Sequence, residues 1–384
     1  MKIINKDMHW GLVLSVFLSI IAGCIIIFSA SKAMNPDATF LKNLAVKQFI
    51  FASIISIAVL IIFTLDLKFI SDISWFFYFL SLGSLIAVFV IGKASHGAQR
   101  WISLGPLALQ PSEFAKIALI LALAKFMSIN IANSRKVYFI LISSIITIIP
   151  LGFIVMQPDL GTSLTFLPIL ISMLFMAGIK KRYFLMLFPF ALIPLLIIYL
   201  AKQKVIDIDD IRSLLPFLKT YQQNRLLAFI DPSIDPSGIS YQLKQSQIAI
   251  GSGQLFGKGF LNGSQTHLYF LPERHTDFVF SVLGEEWGFI GGSFLILLYL
   301  YILKTGLSIA NQSADFFAKL ASIGIVILLL SHIITNIGMT IGLMPITGLP
   351  LPLISYGGSS LLTSMISIGL LLNFYANRNH ALFR

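Results

Sequence analysis

Two stretches of this sequence gather side chains suited to acid–base and anion chemistry. The denser is Leu271-Pro272-Glu273-Arg274-His275-Thr276-Asp277-Phe278, which stands directly before a long apolar run. A carboxylate at such a boundary is partly desolvated, and desolvation raises its pKa toward that of a useful general base. Asp277 is therefore the candidate base, with Glu273, Arg274 and His275 as polar neighbours. The plainer reading is a helix-start cap by Thr276 or Asp277. Glu285, near two helical turns on, shares roughly the face of Asp277. Glu286, with Trp287-Gly288, reads as a helix-packing feature.

The second stretch runs from Gly97 to Lys116 and holds Arg100, Trp101, Gln110, Pro111, Glu113 and Lys116. Pro111 suits the first turn of a helix. Glu113 then lies near the positive helix terminus, with Lys116 three residues on and on the same face. That pair reads either as a dipole-compensating salt bridge or as a functional charge pair at the start of a span, where ionisable groups are costly. Trp101 reads as a site residue or as an interfacial anchor. Asp159, in Gln157-Pro158-Asp159-Leu160-Gly161-Thr162, is a helix cap or a contact to a polar substrate. Gly251-Ser252-Gly253-Gln254-Leu255-Phe256-Gly257-Lys258-Gly259 matches neither the dinucleotide nor the Walker spacing, yet a glycine-rich backbone can cradle a pyrophosphate. Asn336-Ile337-Gly338-Met339 and the proline-broken Pro345–Ser360 segment predict a re-entrant turn, either lining a wet cavity or closely packed.

The elements that carry these residues follow from composition. Of 384 residues, 57% are hydrophobic and only 11% charged, against about a quarter charged in an ordinary soluble domain. Mean hydropathy is +0.89. The chain is an all-α polytopic membrane protein, a single transmembrane domain over 1–384. Ten spans are predicted, at 9–30, 44–65, 69–92, 113–127, 137–156, 161–178, 182–201, 276–303, 316–343 and 355–375, the fourth either continuing past Met127 or tilting less than its neighbours. The lone cysteine, Cys24, follows a lipoprotein-like Ile-Ala-Gly, but the apolar run continues beyond it, so 9–30 reads as a retained helix.

With the N-terminus inside, thirteen Lys and Arg fall on the cytoplasmic side, six on short outer segments and eight in the long loop 202–275 between helices 7 and 8, which the positive-inside rule does not count. Both termini are then cytoplasmic and the loop, like the polar motifs, faces outward. At 74 residues that loop is too long for a passive connection; it holds Arg225 as well as the glycine run.

Several classes recede. The net charge of +11 belongs to membrane topology, not to nucleic-acid binding. There is no HExxH, no histidine or cysteine metal set, no Walker motif and no Gly-x-Ser-x-Gly elbow.

At these four segments the chain resembles the SEDS family (shape, elongation, division and sporulation), bacterial peptidoglycan polymerases, over nearly its whole length. Leu271–Phe278 and the phrase from Gly338-Met339 to Leu351-Pro352 look more like the elongation branch, RodA, than the division branch, FtsW. Gln99 departs from the family, which often has a basic residue there. The resemblance implies a glycosyltransferase acting on lipid II, an undecaprenyl-pyrophosphate disaccharide-pentapeptide, outside the cytoplasmic membrane. It implies that Asp277 is catalytic, that Trp101, Glu113 and Lys116 are functionally sensitive, and that a class B penicillin-binding protein is the partner, among other elongation-complex membrane proteins.

The chemistry fits. A sugar hydroxyl needs a base, whereas pyrophosphate leaves readily as an anion, so one carboxylate suffices. Cations for the leaving group come from Arg100, Lys116, Arg225, Lys258 and Arg274, with a divalent cation (Mg or Mn) as a possible assistant. Gln110, Asp159, Glu273, His275 and Ser355 complete the expected substrate contacts. A lipid II flippase or transporter is the alternative, and a scaffold that recruits a transpeptidase is a third reading.

Overall fold

The computed structural model describes residues 7–32, 43–95, 98–104, 107–183, 200–201, 203, 210, 212–213, 220–231, 233, 238–268 and 270–379. Helices dominate because a backbone in hydrocarbon must satisfy its own polar groups. Seven described helices are long and apolar enough to cross a membrane. They are α1 (Trp10–Lys32), α2 (Leu44–Thr64), α4 (Ser74–Ile91), α6 (Val137–Met156), α11 (Val279–Gln312), α12 (Phe316–Thr340) and α13 (Gly358–Ala376). The more polar α5 (Pro111–Ile129) and the shorter α7 (Leu160–Met176) pack among them.

These helices follow the expected spans, with physical adjustments. The third span starts as α3 (Leu67–Asp72), breaks at Ile73 and resumes as α4. The fourth does run past Met127, to Ile129, and Pro111 occupies its first turn. The eighth starts later than expected, at Val279, and runs on to Gln312 through a break at Gly288, whose φ of 62° and ψ of −159° are non-helical. Most of the seventh, 182–201, lies outside the described residues.

The centre of the bundle is α12 and α13, with 72% and 78% of their apolar windows buried, against 22% for α2. α12 packs on α5, α7 and α11, α13 packs on α2, and α1 lies against α11. The lipid-facing residues of α2, such as Ile54, Ile57 and Leu60, are as apolar as its buried ones, which is why α2 carries no helical hydrophobic stripe.

Two features between the helices were not anticipated. Residues 93–109 form a small antiparallel sheet, β1 (Lys93–Ser95), β2 (Ala98–Leu104) and β3 (Leu107–Leu109), with Lys93 opposite Trp101 and Ile102 opposite Leu109. Among the described residues of the long loop stand three helices, α8 (Thr220–Ile230), α9 (Ile239–Ser252) and α10 (Ser264–His267). The proline-broken segment is irregular, as a re-entrant turn requires. Between α12 and α13 the chain is non-helical, and Ile346, Leu349, Leu351, Leu353 and Ile354 are all buried in protein, the condition for irregular backbone at that depth.

Candidate active site

A cavity of about 560 Å³ opens where the β-sheet, α8, α9, the 272–277 loop and the non-helical 346–360 segment converge. Its walls carry Arg100, Trp101, Gln110, Arg225, Gln242, Glu273, Thr276, Asp277, Gly348, Tyr356 and Ser359. Five expected site residues from the 97–116 and 271–278 stretches, and Arg225 from the long loop, therefore meet at one place.

Asp277 is half-buried and lies just before α11, not in it. Phe278 is the N-cap residue and makes no side-chain cap, so the capping role considered for Thr276 or Asp277 is not what the structure shows. Thr276 Oγ1 instead donates to Glu273 Oε2 at 3.0 Å. The Asp277 backbone is anchored by Asn336, whose Nδ2 donates to its carbonyl at 2.9 Å. Beside it, Gly348 has φ of +75°, and a Cβ there would stand 3.1 Å from Arg225 Nη1 and 3.3 Å from Asp277 Oδ2. Guanidinium and carboxylate thus converge on a position that only glycine leaves open. Glu273 also has a left-handed backbone, with φ of +49°, a conformation retained at functional sites when its surroundings enforce it.

Arg100 is held from behind. Its Nε donates to the Gln157 carbonyl at 3.2 Å, its Nη2 to the Pro158 carbonyl, and Nη1 lies 3.9 Å from Asp159 Oδ1. Asp159 is buried behind this wall. It caps α7 by accepting from the Thr162 N–H, as its plainer reading held, and also accepts from Gln110 Nε2 at 3.1 Å, Ser112 and the Thr162 hydroxyl. It orients two cavity residues without lining the cavity itself.

Other expected contacts are turned to different work. Glu113 and Lys116 form the anticipated i,i+3 pair, at 2.6 Å, but both are buried in the bundle off the cavity wall. Lys116 Nζ also stands 2.8 Å from His332 Nε2. Lys258 bonds Glu285 Oε1 at 2.8 Å and Ser264 at 2.7 Å. Arg274 is buried, donating to the carbonyls of Ala30 and Thr266. Ser355 donates to the Thr276 carbonyl at 2.6 Å and accepts from the Leu351 N–H, a tether between the two cavity loops. His275 packs on Tyr356 with ring centroids 6.0 Å apart. Burial lowers its pKa, against the pull of Glu273 and with the push of Arg274. At every one of these residues but His275, whose Nδ1 is buried without a hydrogen-bond partner among the described residues, a protein group reaches the charged or polar atoms first.

The glycine run is also not a phosphate cradle. The N–H groups of Lys258 and Gly259 donate to the carbonyls of Glu285 and Glu286, and those of Phe289 and Ile290 to the carbonyls of Gln254 and Leu255. The run mends the backbone of α11 where Gly288 breaks it, which explains why Gly253 and Gly257 lie flush against that helix. Glu285, expected on the face of Asp277, turns instead toward 264–266, accepting from the Gln265 and Thr266 N–H groups.

Gln242, Asn336 and Ser359 were missed as site residues. Ser359 and Asn336 lie in a segment already singled out, whereas Gln242 sits on a helix with no motif. His332 carried an unused signal, an ionisable group in mid-span.

Comparison with known proteins identifies the family and the fold. The family model described as cell cycle protein, covering FtsW, RodA and SpoVE, matches residues 9–380. The peptidoglycan glycosyltransferase RodA of Treponema pallidum (strain Nichols) is 34% identical over 92% of this chain and 94% of its own. The peptidoglycan glycosyltransferase MrdB of Escherichia coli (strain K12) is 37% identical over 79% of this chain and 78% of its own. A solved peptidoglycan synthase complex, described as coordinating polymerization and crosslinking, contains a chain that superposes with TM-score 0.78 at 30% identity, covering 97% of this chain and 99% of that one. The rod shape determining protein RodA of Thermus thermophilus superposes with TM-score 0.68 at 28% identity over 97% of this chain and 98% of its own. With the match running from the first span to the end of the last, this multi-pass membrane protein belongs to the FtsW/RodA/SpoVE family of cell cycle proteins.

Proposed function

We propose that this chain polymerises lipid II into glycan strands at the outer face of the cytoplasmic membrane during cell elongation, with Asp277 as general base. Its enzyme class is that of its relatives, peptidoglycan glycosyltransferase. The observation that carries the reading is the approach of the Asp277 carboxylate and the Arg225 guanidinium to Gly348 in a cavity also lined by Arg100.

The reaction needs both charges. The acceptor hydroxyl oxygen bonds to the anomeric carbon as the bond from that carbon to the pyrophosphate oxygen breaks. The hydroxyl proton goes to Asp277, and the prenyl pyrophosphate departs as an anion. Positioned proton transfer contributes about 10²–10⁴-fold in rate. Arg225 and Arg100 meet the developing negative charge, the latter already oriented by Asp159, Gln157 and Pro158. A divalent cation (Mg or Mn) carried on the pyrophosphate would add further positive charge to the leaving group. Trp101, Gln110, Glu273 and Gln242 offer the remaining apolar and hydrogen-bonding surface to the sugars. A class B penicillin-binding protein is the partner that would crosslink the product. Both termini are cytoplasmic, and the cavity faces outward with the long loop.

The test is purified protein, with its transpeptidase partner and labelled lipid II, analysed as a glycan ladder beside Asp277→Asn. The expected outcome is a ladder from the parent and at least about 10²-fold less polymer from the variant. A full ladder from Asp277→Asn refutes the base assignment. No ladder with any partner or cation, but lipid II movement in liposomes, refutes the polymerase.

A further inference from the structure

Asp277 is held in place by the buried face of α12. His332 and Asn336, one turn apart and therefore on one face of that helix, are 4% and 0% exposed. The Asn336 Nδ2 group donates both hydrogens, to the Asp277 carbonyl at 2.9 Å and to the Leu349 carbonyl at 2.8 Å. Those two carbonyls belong to two chain segments that meet in the cavity wall, the 272–277 loop and the segment that presents Gly348. The orientation of the amide is forced, because the flipped form would aim an oxygen at two carbonyl oxygens. Its Oδ1 is buried and meets no donor among the described residues. An unpaired buried acceptor is costly, and the fold retains it where one residue grips both segments.

His332 extends the grip. Lys116 can only donate, so His332 Nε2 accepts from it, and Nδ1 donates to the Pro350 carbonyl at 3.2 Å. The Glu113–Lys116 pair on α5 is thereby joined to the same wall.

We infer that Asn336 is a positioning residue for the glycosyl transfer: by clamping the backbone of Asp277 to that of Leu349 it sets the carboxylate beside Gly348 and Arg225, with His332 bracing the second segment. The inference rests on the reading of Asp277 as base. A displacement of the order of 1 Å at a reacting group costs about 10²-fold in rate, whereas substrate contacts made elsewhere in the cavity survive it.

The experiment uses full-length protein in nanodiscs, with Asn336→Ala, Asn336→Asp and Asp277→Ala compared in parallel. Lipid II binding gives Kd and the number of sites per chain, and polymerisation with the partner gives kcat. Asn336→Asp keeps the shape but sets oxygens against both carbonyls. Both Asn336 variants are expected to lose about 10²-fold in kcat, with Kd within about twofold of the parent and the same number of sites per chain. Parental kcat in Asn336→Ala, beside an inactive Asp277→Ala, overturns the clamp and leaves the base. A fall in sites per chain matching the fall in kcat also overturns it, because the residue then only supports folding. Parental kcat in Asp277→Ala refutes the base reading instead.

Discussion

Two charged clusters of this membrane protein look alike in sequence and differ in what they surround. Glu113, Lys116 and His332 are buried in the bundle and bonded to one another. Arg100, Arg225, Glu273 and Asp277 stand around a cavity of about 560 Å³. Both sets include an acidic group at the start of a span, Glu113 in one and Asp277 in the other, a costly placement that often marks function in a membrane. The difference is volume. The first cluster encloses its charges in protein, and its task is to hold α5, α12 and the 350 segment together. The second keeps open a space of the right scale for a polar head group, with its charges facing inward. Lys258–Glu285 repeats the first pattern, pinning 258–266 to the broken α11.

The largest test of this contrast is Lys116→Met, which leaves Glu113 buried without its cation. Removing one partner of a buried pair costs about 3–5 kcal/mol, so the melting temperature of the purified protein should fall steeply, and activity should fall with the folded fraction. A protein that melts normally but binds lipid II weakly would break the contrast and move the pair into the substrate site.

Gly348→Ala probes the open cluster. The left-handed backbone disfavours any side chain by about 1–2 kcal/mol, and the new Cβ presses on Arg225 Nη1 and Asp277 Oδ2. Turnover should fall about tenfold or more, with a modest loss of thermal stability; each tenfold is about 1.4 kcal/mol of barrier. Unchanged turnover would mean that the Arg225–Asp277 approach is not the reacting geometry.

The smallest effect concerns His275. Burial depresses its pKa below the ordinary 6.5, so the unfolded chain binds its proton more readily than the folded one. Its contribution to stability is full above pH 6.5 and is lost as pH falls from there toward the lower folded value. Thermal melts between neutral pH and pH 5 should show that loss, and His275→Gln should flatten it. An identical slope in the variant would assign the acid sensitivity to other groups.

How much of this was legible varied by residue type. The spans could be read because some 20 apolar residues have no other use at that length. Pro111 and Asp159 could be read as local helix-start chemistry, which depends on nearby backbone. Asp277 emerged from its neighbours and from the family resemblance together. The small sheet at 93–109 was not legible, since its three-residue outer strands carry too few alternations to register. Gln242 was not legible either, because an isolated amide on a polar helix has no pattern. Arg274, Lys258 and Ser355 were expected as substrate contacts and are bonded to protein groups instead, for one reason: residue type shows what a side chain can bond, not which partner arrives first.

By itself, then, the sequence determined a multi-span helical body and the short runs in which its chemistry is concentrated, because hydrophobic length and cap chemistry act locally along the chain. Tertiary structure alone decided which of those charges face a substrate-sized space and which are spent on the fold. That choice depends on contacts between residues as far apart as Asn336 and Asp277 or Gly348 and Arg225, and no local rule of spacing encodes them.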